Sequence, residues 1–345
     1  MTGRRKRRAR RKVLAGIAFA VLFHLGLNVA LDTAKPQWRD PEYGHRLKEL
    51  KPLARAAGEK PVVVALGSSR SQMGFSPEHM GLDDSAVVYN FSQAGCGPLH
   101  QLLNLKRLLA AGVKPNFLLV EILPPVLGGE ARAEWLLIPP RLSADDLAVA
   151  RPYCENFSEL ETKWYKSRVS PWHTYRINLM SHISPGSLPW QARQDFLWVQ
   201  MKPHGWMPYF FAQIPDEKRA DGIAKANAQY IPYFIDFHLA PLPERAYRDL
   251  IEVCRMEGIL LAFYTMPESP TFREWYTPKA KLVLADYYQS LRAAGFPVFD
   301  ASTWFDDEHQ FADGHHLMRP GAEALSERFG RECLGPWLGS KPAVR

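Results

Sequence analysis

The chain has no Cys-x-x-Cys pair. Its four cysteines, Cys96, Cys154, Cys254 and Cys333, stand far apart, which excludes a recognisable zinc or redox motif and leaves room for one or two disulfides, in any of three full pairings, if the compartment is oxidising. A second long apolar run is also missing. With 46% hydrophobic and 23% charged residues over 345 positions, neither disorder nor a multi-span membrane protein is indicated. The length suits one large domain, or one domain with an insertion. Basic character is absent from most of the chain: Arg4, Arg5, Lys6, Arg7, Arg8, Arg10, Arg11 and Lys12 hold the excess, and without these eight the net charge falls from +7 to −1. Positive charge therefore belongs to a tail of residues 1–12, and a nucleic-acid-binding surface on the folded part has no support.

The one long apolar run is residues 13–31, uncharged and interrupted only by His24 and Asn28, close to the roughly 20 residues a bilayer-spanning helix needs. Asn28 and Asp32 sit badly at the −3 position of cuts after Ala30 and Ala34, so an uncleaved anchor is expected rather than a removed signal. Basic flanks stay cytoplasmic, which places residues 32–345 outside the cytoplasm, in a periplasmic or equivalent space. A basic arm followed by a buried core helix is the rival, disfavoured by the length of the run. Residues 32–60, polar and carrying Pro36, Pro41 and Pro52, fit a stalk.

From residue 61 the pattern is strand and helix in alternation. Strands are expected at 61–66, 86–91, 116–123, 259–266 and 297–300, with helices at 99–111, 243–257, 278–294 and 320–334. Such alternation predicts an α/β fold with a parallel sheet covered by helices on both faces. Between about 127 and 240 the rhythm is lost. That stretch is rich in proline and aromatics, with Trp135, Trp164, Trp172, Trp190, Trp198 and Trp206. It reads as a helical insertion or cap whose tryptophans either form its own core or stack on sugar rings.

An activated serine needs a base within hydrogen-bond reach and a third group to hold that base in its productive tautomer. Ser69 lies just past the first strand, at the sheet edge where ligands bind in open α/β folds. Asp313-Gly-His-His316 lies in a loop before the last helix, which Pro320 announces. His315 competes with His316 as the base. A metal site built from Asp306, Asp307, Glu308, His309, Asp313, His315 and His316 is the weaker reading, since no helical H-x-x-x-H pattern is present.

The strand followed by Gly67-Ser68-Ser69 resembles the first block of the GDSL/SGNH hydrolase superfamily, with Ser68 replacing the usual Asp and Ser69 at the nucleophile's place. Residues 90–95, Asn-Phe-Ser-Gln-Ala-Gly, resemble the second block, N-x-G-x-x-G, with Ser92 for the first Gly. Asp313-x-x-His316, followed by Leu317 and Gly321, is similar to the last. The resemblance implies a flavodoxin-like three-layer sandwich in which Ser69, His316 and Asp313 form a triad and the N–H groups of Ser69 and Gly95 form an oxyanion hole. Arg70, Asn90 and Glu121 stand beside them as binding candidates. The third block, G-x-N, is not matched: Val120-Glu-Ile-Leu-Pro124 offers only Glu121, and a carboxylate cannot donate unless protonated.

Departures of this kind are similar to a membrane-anchored branch that includes alginate O-acetylation proteins and the protein for D-alanine transfer to teichoic acid. The resemblance implies an extracytoplasmic esterase or O-acyltransferase acting on an acylated polysaccharide or acyl donor, without cofactor or metal, partnered by a membrane-bound O-acyltransferase. The alternative is an SGNH-fold binding or assembly protein with little or no activity.

Overall fold

Five short runs of β-branched and large apolar residues form one sheet: β1 (Val62–Leu66), β2 (Val87–Asn90), β3 (Phe117–Glu121), β4 (Leu260–Thr265) and β5 (Val298–Asp300). The computed structural model describes residues 3–128 and 133–340. Residues 129–132 of the expected insertion, and the side chain of Trp135, lie outside the described residues. Every neighbouring pair of strands is parallel, in the order β2-β1-β3-β4-β5. The chain runs from β1 outward to β2 and then back past β1 to β3. That reversal opens a crevice at the carboxyl ends of β1 and β3, the usual ligand position in doubly wound sheets.

The helices that matter here are, in chain order, α1 (Gly3–Val29), α2 (Pro41–Ala56), α3 (Ser69–Gly74), α4 (Pro98–Ala110), α5 (Phe157–Val169), α6 (Pro171–Ile183), α7 (Asp216–Phe234), α8 (Pro241–Glu257), α9 (Pro270–Glu274), α10 (Pro278–Ala293) and α11 (Arg319–Phe329). Helices cover both faces of the sheet, so β1 and β3 are buried at every position and show no polar alternation. On one face Val63, Ala65, Leu119 and Tyr264 pack with Phe75, Leu325 and Phe329. On the other, Tyr247 of α8 meets the Phe263 ring at 5.7 Å between centroids.

The chain divides into two compact units. One holds the sheet, with residues 46–137, 149–155 and 200–345; the other comprises 1–45, 138–148 and 156–199. The expected insertion at 127–240 is therefore split. Residues 200–240 fold with the sheet because α7 packs on the loop that carries Asp313, while 156–199 fold with the N-terminal segment around Leu31, Tyr175 and Leu179. Within the expected stalk at 32–60, residues 41–56 form α2 despite Pro52 inside that helix. The four cysteines are separate thiols, and none pairs in a disulfide.

Residues 4–34 form a helix long and apolar enough to cross a membrane. The tryptophans of the 127–240 stretch divide: Trp206 is buried in the sheet's core, whereas Trp172 and Trp190 are exposed.

Candidate active site

The sheet delivers Ser69 through a tight corner. Gly67 follows β1 where a Cβ would stand 2.5 Å from Ser71 Oγ and 2.6 Å from Glu121 Oε2, so only glycine lets the chain pass. Ser68 then caps α3, its Oγ accepting from the Arg70 N–H at 3.2 Å, which places Ser69 at the first helical position. First-turn N–H groups have no partner inside their own helix. Among the described residues the Ser69 N–H has no protein acceptor, and neither has that of Gly95. Gly95 sits in the loop after β2, the strand next to β1, with φ of +69°, a conformation that glycine adopts without strain.

Ser69 meets the segment before α11. Ser69 Oγ lies 2.8 Å from His316 Nε2, and His316 Nδ1 lies 2.8 Å from Asp313 Oδ2. The other carboxylate oxygen, Oδ1, accepts from the backbone N–H of His316 at 3.0 Å and of His315 at 3.3 Å. Burial alone would raise the Asp313 carboxyl, but the adjacent His316 and these hydrogen bonds outweigh it and hold the group well below the usual carboxylate range. An ionised Asp313 requires the proton of His316 on Nδ1, leaving Nε2 as an acceptor toward the serine. His315 packs against Tyr230 at 5.1 Å and Phe272 at 5.5 Å between ring centroids, with its Nδ1 3.3 Å from Asp313 Oδ1, and no bond joins it to Ser69, which His316 meets instead. Burial, then the neighbouring His316, pushes its pKa well below the ordinary value.

Helix α7 braces this loop. Arg219 donates from Nε to the Phe311 carbonyl at 3.0 Å, and at Gly222 an added Cβ would stand 2.9 Å from Asp313 Cβ. These two contacts were not anticipated from the motifs. Their trace in the sequence is a glycine inside an otherwise helical run, a position that costs helix stability unless close packing requires it.

Arg70, Asn90 and Glu121 were expected to contact a ligand. The structure puts all three beneath the corner, at most 1% exposed. Glu121 ends β3 and accepts from the Ser68 N–H at 2.5 Å, Ser68 Oγ at 3.1 Å and Ser71 Oγ at 2.7 Å. Asn90 donates to the carbonyls of Ser71 and Phe75, both at 2.8 Å, and accepts from the Ser92 N–H. Arg70 donates to Glu268 Oε1 at 3.1 Å and to the Met266 carbonyl at 2.9 Å, with its Nε 4.0 Å from Glu121. Their hydrogen-bonding capacity goes into holding the corner because an interior position leaves no solvent to satisfy it. Burial pushes the Glu268 carboxyl up against the opposing charge of Arg70. Sequence reasoning also missed Tyr264, whose hydroxyl donates to Ser71 Oγ at 2.8 Å.

Asp313, His315 and His316 offer ligand atoms within 4.8 Å of one another. Both ring nitrogens of His316 are already engaged, with Ser69 and Asp313, so a metal would have to displace one of them. Asp306 instead pairs with Arg273 at 2.6 Å, and His309 with Asp307 at 3.1 Å. A cavity of about 370 Å³ lies beyond the Arg70–Glu268 pair, lined by Glu268, Tyr276, Tyr288 and Asp300. Neither Ser69 nor His316 lines it.

The family described as "Protein of unknown function (DUF1574)" matches residues 42–162. No curated protein matches the chain. Among solved structures it is similar to a candidate acylhydrolase from Bacteroides fragilis, at 10% identity and a TM-score of 0.36, covering 84% of this chain and 97% of that one. A GDSL-like lipase from Bacteroides thetaiotaomicron is similar at 9% identity and a TM-score of 0.35, covering 84% and 98%.

Proposed function

We propose that the protein is a serine esterase or O-acyltransferase. The observation that carries this reading is the unbroken chain of hydrogen bonds from Ser69 Oγ through the His316 ring to Asp313. In this reading Ser69 Oγ attacks an acyl carbonyl while His316 Nε2 takes its proton. The tetrahedral intermediate collapses as His316 returns that proton to the departing alcohol. A water or sugar hydroxyl then gives its proton to His316 and attacks the acyl-serine, and His316 passes that proton to Ser69 Oγ as the acyl–oxygen bond breaks, restoring the free serine. Asp313 holds the imidazole and stabilises its charged form throughout. The N–H groups of Ser69 and Gly95, without acceptors in the protein, are suited to the developing oxyanion.

The substrate is an O-acylated envelope or exported polysaccharide, or the acyl donor that supplies it. The apolar helix at the N-terminus anchors the chain, its basic tail cytoplasmic and its catalytic unit periplasmic, beside a membrane-bound O-acyltransferase. Ser69→Ala tests the chemistry. It should abolish covalent labelling by a fluorophosphonate and lower acetyl-ester hydrolysis by about 10⁴-fold or more. Labelling that persists at full stoichiometry would exclude Ser69 as the nucleophile.

One observation favours a second reading, a binding or assembly protein of little activity. Glu121 stands where the resemblance expects a donor, and loss of one oxyanion donor costs about 10²–10³ in kcat. Polysaccharide binding that survives Ser69→Ala, with no change in acyl content upon incubation with acetylated polymer, would decide for this alternative.

A further inference from the structure

The unit formed by residues 1–45, 138–148 and 156–199 contains a feature that the acyl-transfer chemistry does not use. Helices α5 and α6 meet at a sharp corner, Val169-Ser170-Pro171, and this corner lies against α1 within the apolar run rather than beyond its end. Trp172 meets Phe23 at 6.4 Å between ring centroids, and Asn28 donates from Nδ2 to the Arg168 carbonyl at 2.8 Å. From there α6 follows α1 outward: Tyr175 and Leu179 pack on Leu31, and Asn178 donates to the Trp38 carbonyl at 3.3 Å. Phe23 precedes Leu31 by eight residues, or about 12 Å of helix at about 1.5 Å per residue. If 13–31 crosses a hydrocarbon layer of about 30 Å, the corner lies inside it.

The chemistry of the corner suits that depth. Val169, Tyr165 and Trp172 are 77%, 57% and 44% exposed, large for apolar side chains facing water. Part of the backbone at the corner is satisfied by protein rather than water, as a lipid-immersed turn requires. Carbonyls at a helix's end ordinarily turn to solvent. Here two of the last four carbonyls of α5 find protein donors: that of Arg168 accepts from Asn28 Nδ2 at 2.8 Å and that of Ser167 from Thr174 Oγ1 at 3.2 Å. Pro171 at the start of α6 removes one donor outright. The guanidinium of Arg168 reaches along α1 to Asp32 at 3.4 Å, the direction in which an immersed arginine extends toward the interface.

The two polar interruptions of the apolar run gain an explanation. Asn28 is bonded to the corner, and His24 lines the groove between α1 and Arg168 and Val169. Polar residues within a span turn toward protein rather than lipid.

We propose that the α5–α6 corner is a membrane-inserted element, seated in the leaflet on the catalytic side of the bilayer with lipid acyl chains against Tyr165, Val169 and Trp172. This rests on α1 being a span. The test places a nitroxide at Val169→Cys in the full chain, reconstituted in nanodiscs of phosphatidylethanolamine and phosphatidylglycerol. Phe19→Cys in α1 and Leu282→Cys in α10 serve as references, 71% and 67% exposed respectively. The unsubstituted chain, whose native thiols are buried or half-buried, gives the labelling background. At position 169 the expected result is frequent collision with oxygen and loss of collision with a water-soluble nickel chelate, as at 19 and opposite to 282. A position-169 label reached by nickel as readily as 282 overturns the inference. So does one reached by neither, which would mean that protein, such as a second copy of this chain, covers the corner. Nickel access at 19 itself would overturn the span, and the inference with it, whereas acyl-chain contact at 19 with water contact at 169 overturns the corner alone.

Discussion

Gly222→Ala is the most direct probe of how α7 sets the geometry around Ser69. The new methyl carbon would stand 2.9 Å from Asp313 Cβ and 3.2 Å from the Ala312 carbonyl oxygen. Carbon atoms rest at about 3.5–4.0 Å, so the loop bearing Asp313 must yield by about 0.6–1 Å. Two effects on stability oppose each other. Alanine gains about 0.5–1 kcal/mol over glycine inside a helix, and overpacking costs about 1–3 kcal/mol, so the variant should fold with a net loss of about 0–2 kcal/mol. Activity is far more sensitive. The contacts at risk are the 2.8 Å bonds from Asp313 to His316 and from His316 to Ser69, and a displacement of about 1 Å in a catalytic group costs about 10²-fold. Acetyl-ester hydrolysis and the rate of fluorophosphonate labelling should therefore fall together by about 10–100-fold in a protein that unfolds near the wild-type midpoint. Labelling at the wild-type rate in a folded Gly222→Ala would refute the view that α7 dictates where Asp313 stands.

Two further substitutions address the buried groups. Arg70→Met leaves Glu121 and Glu268 without their common cation and should cost about 3–5 kcal/mol in urea unfolding, while Glu268→Gln should cost much less because burial already favours the neutral form of that carboxyl; equal losses would contradict this account. His315, whose folded pKa is depressed by burial and by His316, binds its proton more readily in the unfolded chain. Its contribution is therefore fully present above about pH 6.5 and is lost as pH falls below that value. His315→Phe should flatten the decline of the urea midpoint between about pH 6.5 and 5, and an unchanged slope would assign the decline to other groups.

The parallel sheet was legible because its strands are short, apolar runs ending in turn residues, and each expected strand appears within a few residues of its place. Ser69, Asp313 and His316 were legible as motif residues for a related reason: each stands in a loop at the carboxyl edge of the sheet, and Asp313 and His316 lie at a short, fixed spacing, although the meeting of Ser69 with His316 spans 247 positions. Arg219, Gly222 and Glu268 were not. Their roles depend on which distant segments meet, and neither residue type nor spacing encodes that. The 127–240 stretch is helical as expected, but how its helices are shared out was not legible. Residues 156–199 serve the N-terminal helix and 200–240 serve the sheet, and nothing local in the sequence marks the division. Within the expected stalk, α2 runs through Pro52, as tertiary context overrides a local penalty.

Glu121 ties the legible and illegible parts together. Under the proposed acyl-transfer chemistry, a carboxylate behind Ser69 would oppose an oxyanion if its charge were unscreened. Here three donors from Ser68 and Ser71 converge on it and Arg70 stands 4.0 Å away, so the charge is answered locally. Arg70 also faces Glu268, whose carboxyl burial pushes toward neutrality. One cation thus stands against both carboxyls, 3.1 Å from Glu268 and 4.0 Å from Glu121. What Glu121 supplies instead of a donated hydrogen bond is rigidity: it fixes the N–H and hydroxyl of Ser68, just before Ser69, and the hydroxyl of Ser71, two residues after it. A corner locked in this way keeps the Ser69 N–H and Oγ in fixed relation, and for the proposed chemistry such pre-organisation is the form in which electrostatic stabilisation costs least at the moment of reaction.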